Sequence, residues 1–326
     1  MRNAFARCIT QMAEQDEKVI LLYADIGNRL FNPLKQVAAK RCVNTGIAEA
    51  HMASMAAGLA KRGMRPFIYS IASFTTARNY EQIKIDIAYQ NLPVVIVGTG
   101  AGLSYGNLGP THHALDDIAM MRALPNMSVF CPVDGEELAQ LLPQIMQHDG
   151  PAYVRIGKKN EPLLSTMLPT RDEPPYPEIT KPRLLRQGQD FLIISCGVFS
   201  SHALELANQL SSKLGLEAGV LHLHSLKPLN MAECRRCLSQ YKVVVSLEEH
   251  WNEGALGSLL ASLIVEERLS LRLFRFCVPD RFIDKVSSRN SALKAAGLSV
   301  EHLLERIEQS VLPLLAGSRQ SDGRYQ

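Results

Sequence analysis

PFIYSIASFTTARNYEQIKIDIAYQNLPVVIV, residues 66–97, holds a complete structural unit. Pro66–Ile71 and Val94–Val97 are short apolar runs of strand type, and Arg78–Tyr89 between them carries helical spacing. A strand, a helix and a second apolar strand in that order make a β-α-β crossover, which requires parallel pairing and a sheet buried on both faces. The same alternation continues outward. Val19–Tyr23, Ser128–Cys131 and Ala152–Arg155 read as further strands, and Phe5–Glu14, Ala48–Lys61 and Gly135–Gln147 as helices. Between Lys158 and Pro182 it fails: six prolines interrupt any periodicity. Proline fixes φ and lacks a donor, so an extended linker is expected there.

Alternation then resumes. Phe191–Ser195, Val220–Leu223, Val243–Leu247 and Arg272–Phe276 read as strands, with Ala203–Leu214, Leu256–Glu267 and Val300–Leu315 as helices. The expected organisation is an α/β chain of two doubly wound domains, 1–160 and 186–316, joined by a proline-rich linker over 161–185 and followed by a frayed polar tail over 317–326.

The chain has 326 residues, long enough for two cores, and its 35 basic and 32 acidic residues leave a net charge of +3. That balance gives no footprint for nucleic acid. No apolar run approaches the ~20 residues of a membrane span, and the first residues lack the apolar core of a secretory signal. A cytoplasmic protein with seven reduced cysteines is the expectation. Cys234 and Cys237 have no second Cys or His pair at zinc-site spacing, so they read as neighbours on one helix face, and no metal ligand is expected in this chain.

Four stretches carry candidate chemistry. In the run Gly98–Gly106 the sixth position is Leu103 counted from Gly98 and Tyr105 counted from Gly100. The dinucleotide pattern therefore fails, and a ligand loop at a strand's C-terminal edge remains. Glu49 opens an otherwise apolar helix; it either complements the helix N-terminus or is a buried carboxylate able to hold a proton. Phe74, at a strand–helix junction, packs in a core or stacks on a flat ring. His112 and His113 adjoin a loop–helix junction, where imidazoles can exchange protons near neutrality.

Taken together, NTGIAEAHM (44–52), SFTTARNYEQIKIDIAYQNLPV (73–94) and AGLSYGNLGPTHHALDDIAMMRALPNMSVFCPVD (101–134) resemble the pyrimidine-binding domain of transketolase. Val243–Leu247 running into Glu248-Glu249-His250 and Gly254-Ala255-Leu256-Gly257 resembles the transketolase C-terminal domain. The resemblance spans about residues 1–315 and is nearest the C-terminal subunit of split, two-chain transketolases. Deoxyxylulose-phosphate synthase is similar at a greater distance.

The resemblance implies roles. Glu49 matches the catalytic glutamate that hydrogen-bonds N1′ of the thiamine diphosphate aminopyrimidine, and Phe74 the aromatic stacked on that ring. Asp25 matches an aspartate near the cofactor, and Arg78 an arginine of the synthase pocket. His112 matches the histidine facing the donor hydroxyls, with His113 beside it, and Arg155 an arginine that binds substrate phosphate. Two positions depart from the pattern: Leu108 stands where an aspartate reads an acceptor hydroxyl, and Gly100 where a histidine binds phosphate. A two-carbon ketol transfer on a modified sugar is therefore expected; 2-oxoacid decarboxylation with carboligation and a non-catalytic partner subunit are the alternatives. No Gly-Asp-Gly with an Asn 25–30 residues on is present. The resemblance thus implies an N-terminal partner subunit that holds the diphosphate and Mg²⁺, in an α₂β₂ assembly.

Overall fold

The computed structural model describes residues 1–27, 29–168 and 178–315. The expected tail over 317–326, and residues 169–177 of the expected linker, lie outside the described residues.

The first half contributes β1 (Val19–Tyr23), β2 (Cys42–Asn44), β3 (Arg65–Ile71), β4 (Val95–Thr99), β5 (Ser128–Phe130) and β6 (Ala152–Ile156). The second contributes β7 (Arg183–Arg186), β8 (Phe191–Ser195), β9 (Ala218–His222), β10 (Ser225–Lys227), β11 (Val243–Trp251) and β12 (Arg272–Val278). They form a seven-stranded sheet in the order β10-β5-β6-β4-β3-β1-β2 and a five-stranded sheet in the order β12-β11-β8-β9-β7. All pairings are parallel except those of β10 with β5 and of β7 with β9.

Strand side chains alternate between faces, and here both faces are buried. Ile20, Leu22, Ile68 and Ile96 point into one core, which runs on to Leu192, Ile194 and Val244 of the second sheet. Val19, Leu21, Tyr23, Phe67, Tyr69, Val95 and Val97 point into the core beneath helix Arg2–Gln15. The far face of the second sheet packs Phe191, Ile193, Val220 and Val245 against helices Phe199–Leu214 and Val300–Ser310.

Three local features differ from the sequence reading. The helix expected over Arg78–Tyr89 is a short helix Ala72–Thr76, a turn Tyr80–Gln82 and a π-helical stretch Ile83–Ala88. The first piece ends on two β-branched threonines, with Thr76 Oγ1 donating back to the Ala72 carbonyl at 2.7 Å. β11 runs on to Trp251, past the expected end at Leu247, because its last turns bury Glu248, Glu249 and His250 in place of apolar residues. β10 belongs to the second half of the chain yet closes the edge of the first sheet on β5, with Ser225 opposite Phe130 and Lys227 opposite Val129.

Candidate active site

The candidate residues gather at the C-terminal edge of the first sheet, where open α/β sheets bind ligands. After β2 the chain turns through Gly46, at φ +74°, and Glu49 begins helix Glu49–Lys61. The Glu49 side chain is only 2% exposed. It accepts a hydrogen bond from Arg78 Nη1 at 2.9 Å and a weaker one from Ser70 Oγ of β3 at 3.4 Å. Arg78 is half exposed, so the carboxylate is closed off except on the side the arginine covers.

Phe74 lies in the short helix that leaves β3. The Arg78 guanidinium sits 4.3 Å from its ring centroid, and the His112 ring meets it edge-on at 5.0 Å. His112 is carried by the turn Pro110–His112, with Nδ1 2.9 Å from Thr111 Oγ1. The Tyr105 ring is 6.0 Å from His112 and carries Lys158 Nζ 4.1 Å above its own centroid. Lys158 also donates to Asn107 Oδ1 at 3.3 Å. Partial burial, with the Arg78 and Lys158 charges, holds His112 below the ordinary histidine pKa, so its neutral form is favoured. Burial, together with the Arg2 and Lys159 charges, lowers Lys158.

The two histidines part company. His112 faces Phe74, whereas His113 is buried and turned into a cavity of about 210 Å³ shared with Ser73, Asp116, Trp251 and Phe282. His113 Nε2 has no hydrogen-bond partner there, and burial lowers its pKa. Asp25 stands at the same sheet edge, at φ +45°; its carboxylate accepts from Asn44 Nδ2 at 2.8 Å and its N–H donates to Asn44 Oδ1 at 3.1 Å.

Arg155 does not sit where a substrate phosphate could reach it, which corrects the expectation from resemblance. It is 5% exposed. Its Nε donates to Asp117 Oδ2 at 2.7 Å, and its Nη2 to the Ala114 and Glu249 carbonyls at 2.8 and 3.1 Å. Tyr153 adds a 2.6 Å bond to the same Asp117 oxygen. Arg155 is thus a buried tie between the two halves of the chain.

The glycine run leads into two short 3-10 turns, and the next helix starts only at Asp117. Gly100 has φ +83°, and a Cβ there would lie 2.0 Å from Tyr105 Cε2. Tyr105 therefore fills the space a side chain at position 100 would need. The C-terminal half grips this loop: Leu103 N–H donates to Glu249 Oε1 at 2.9 Å, and Glu249 is paired with Arg289 at 2.7 Å. Leu108 is 44% exposed on the loop's outer side.

Sequence reasoning missed Tyr105, Lys158 and Glu249. Lys158 had a signal, because it follows directly on a strand read correctly as ending at this edge; Glu249 had none, since its partners lie about 146 and 40 residues away. The assembled site presents a buried carboxylate, a half-open aromatic face, an imidazole kept neutral and two cations. Such a set can hold a flat nitrogen heterocycle against Phe74 with Glu49 at a ring nitrogen, and leaves imidazole and ammonium donors for a polyhydroxylated or anionic substrate.

Residues 1–162 match the family described as transketolase, pyrimidine binding domain, and residues 180–303 the family described as transketolase, C-terminal domain. One of the two subunits of the apulose-4-phosphate transketolase of Phocaeicola vulgatus is 30% identical over 280 residues, 86% of this chain and 87% of that one. The 6-deoxy-6-sulfo-D-fructose transketolase subunit SqwH of a Clostridium species is 32% identical over 82% of this chain and 81% of its own. Among solved structures, a split gene transketolase described as an inactive beta4 tetramer superposes with a TM-score of 0.84 at 28% identity, covering 95% of this chain and 98% of that one.

Proposed function

The chain belongs to the transketolase family, as the counterpart of the C-terminal subunit of its split members, and from this we propose that it transfers a two-carbon ketol unit between sugars with thiamine diphosphate as cofactor. The observation that carries the reading is Glu49: a carboxylate 2% exposed, with the half-open Phe74 ring beneath its Arg78 partner. Thiamine diphosphate, when bound, supplies the electron sink for carbon–carbon cleavage.

This chain's residues fit the aminopyrimidine end of that cofactor. Phe74 offers the stacking face and Glu49 holds the proton at the pyrimidine nitrogen. Arg78, which covers both, moves aside as the ring enters, and Asp25 borders the pocket. His112, neutral at working pH, accepts and returns a proton at the sugar hydroxyls, with His113 behind it. Lys158 takes the anionic end of the substrate in place of Arg155. Leu108, and the Tyr105 ring seated against Gly100, support a modified sugar over a standard pentose phosphate, since neither offers a side chain to the usual acceptor hydroxyl or phosphate.

Nothing in the sequence provides a Gly-Asp-Gly and downstream Asn for diphosphate and Mg²⁺. We assign both to a partner subunit, in an α₂β₂ assembly, and take residues 1–160 and 186–316 as the two domains of this one. No helix among the described residues is long and apolar enough to cross a membrane, and the partnership is proposed for the cytoplasm. The test is turnover of a ketose donor by the reconstituted pair. Release of CO₂ from pyruvate would mark the carboligase alternative instead, and failure to bind thiamine diphosphate would mark a non-catalytic subunit.

A further inference from the structure

Outside the candidate active site, three buried side chains meet where the chain crosses from the second sheet to the first. Glu137 lies in the first turn of helix Gly135–Met146, which Asp134 caps by accepting from Glu136 and Glu137 N–H at 2.9 Å each. His222 ends β9, and His224 lies in the link to β10. All three are 2% exposed or less. One ligand atom from each, a carboxylate oxygen and two imidazole nitrogens, falls within 4.8 Å of the others.

Their hydrogen bonds do not close. His224 Nε2 lies 3.1 Å from the Glu178 carbonyl, which only accepts, so this nitrogen carries the ring proton. His224 Nδ1 is then a bare lone pair, buried and without a partner. It faces Glu137 Oε1 at 3.8 Å. Two electron-pair donors oppose each other across a dry gap with no hydrogen between them, an arrangement that a cation resolves.

We propose that Glu137, His222 and His224 form a structural site for a divalent transition metal of the zinc class, tying the first sheet to the second. Two imidazoles and a carboxylate suit zinc, whereas Mg²⁺ and Ca²⁺ want oxygen ligands throughout. Ligand atoms around tetrahedral zinc stand about 3.4 Å apart. The His222 Nε2–Glu137 Oε2 and His224 Nδ1–Glu137 Oε1 separations of 2.9 and 3.8 Å bracket that spacing. Each histidine already has an outer partner on its other nitrogen, as metal-bound histidines do: the Glu178 carbonyl for His224, and Ser200 Oγ at 2.7 Å for His222.

The protons balance. His222 releases its Nε2 proton and takes one on Nδ1, which then donates to the Ser200 hydroxyl, so the ring stays neutral. Arg183 holds Glu137 Oε1 at 2.7 Å from a partly exposed position, and turns toward solvent when the ion takes that oxygen. Water fills the fourth coordination place.

The test uses the full chain stripped of metal by a chelator and titrated with Zn²⁺ by calorimetry, with Mg²⁺ in a parallel titration. One Zn²⁺ per chain, no Mg²⁺ uptake and a raised Tm are expected, as is nitrogen/oxygen coordination by X-ray absorption of the zinc-loaded wild type. The variant Cys234→Ser/Cys237→Ser keeps this binding, and His224→Ala loses it. Absence of stoichiometric binding by wild type, sulfur in the coordination shell, or unchanged binding by folded His224→Ala overturns the proposal. The wild-type spectrum decides the matter even where a variant does not fold.

Discussion

Arg78 Nη1 lies 2.9 Å from Glu49 Oε2 while the same guanidinium covers the face of Phe74 at 4.3 Å. One half-exposed cation thus guards both the carboxylate and the aromatic platform that the proposed cofactor needs. Its own ion pair is partly screened by water, so displacing it is cheap beside exposing a buried one. Arg78→Ala should cost about 1 kcal/mol of stability, and no more than a trace of that in a Glu49→Gln background. Chemical denaturation of the four forms checks it through a double-mutant cycle.

Glu49→Gln keeps the shape and removes the carboxylate. In the reconstituted pair kcat should fall by roughly 10²–10⁴-fold, the range for loss of a positioned acid–base group, with Tm essentially held. Full activity in this variant would sink the proposed mechanism.

Asp117 receives Arg155 and Tyr153 on one oxygen in a fully buried setting. Asp117→Ala leaves the arginine charge buried without its partner, so stability should fall by about 3–5 kcal/mol. Phosphate affinity, measured on any folded Arg155→Lys protein, should hold, whereas Lys158→Ala should weaken it.

Gly100→Ala meets Tyr105 and a positive φ together. Adding Tyr105→Ala relieves the clash and leaves the backbone cost of about 1 kcal/mol. The double variant should therefore be more stable than Gly100→Ala alone, and calorimetric Tm values for both report the difference.

His250 is 1% exposed, and burial lowers its pKa from 6.5 to about 4. Between those values the unfolded chain binds the proton and the folded chain does not, so stability falls as pH drops from about 6.5 to 4. The full loss is about 3 kcal/mol. His250→Gln should make the stability–pH curve shallower in that window and leave the curve above pH 7 unchanged in slope.

Much of the sheet architecture was legible because parallel strands buried on both faces must be apolar runs, as at Val19–Tyr23 and Phe191–Ser195. β10 was not, since Ser225-Leu226-Lys227 is three residues long and has no pattern of its own; its partner Phe130 makes it a strand. The separate identities of Glu49, Phe74 and His112 were legible from local sequence, and the Glu49–Arg78–Phe74 contacts lie within 29 residues. Which way Arg155 turns depends on Asp117 and on Glu249, 94 residues away, and no spacing along the chain carries that information. The same holds for Glu137 and His222, 85 residues apart.

The crossing of β10 onto β5 has a consequence for cutting the gene. A fragment ending in the proline-rich stretch would carry nearly all of the first sheet but leave β5 with a bare outer edge, ready to pair with another fragment. The reciprocal piece would trail an orphaned strand. Exchange of halves between relatives should therefore succeed only when Ser225–Lys227 travels with a matching β5, so the inherited module is the interlocked pair and the boundary in sequence is not the boundary in space.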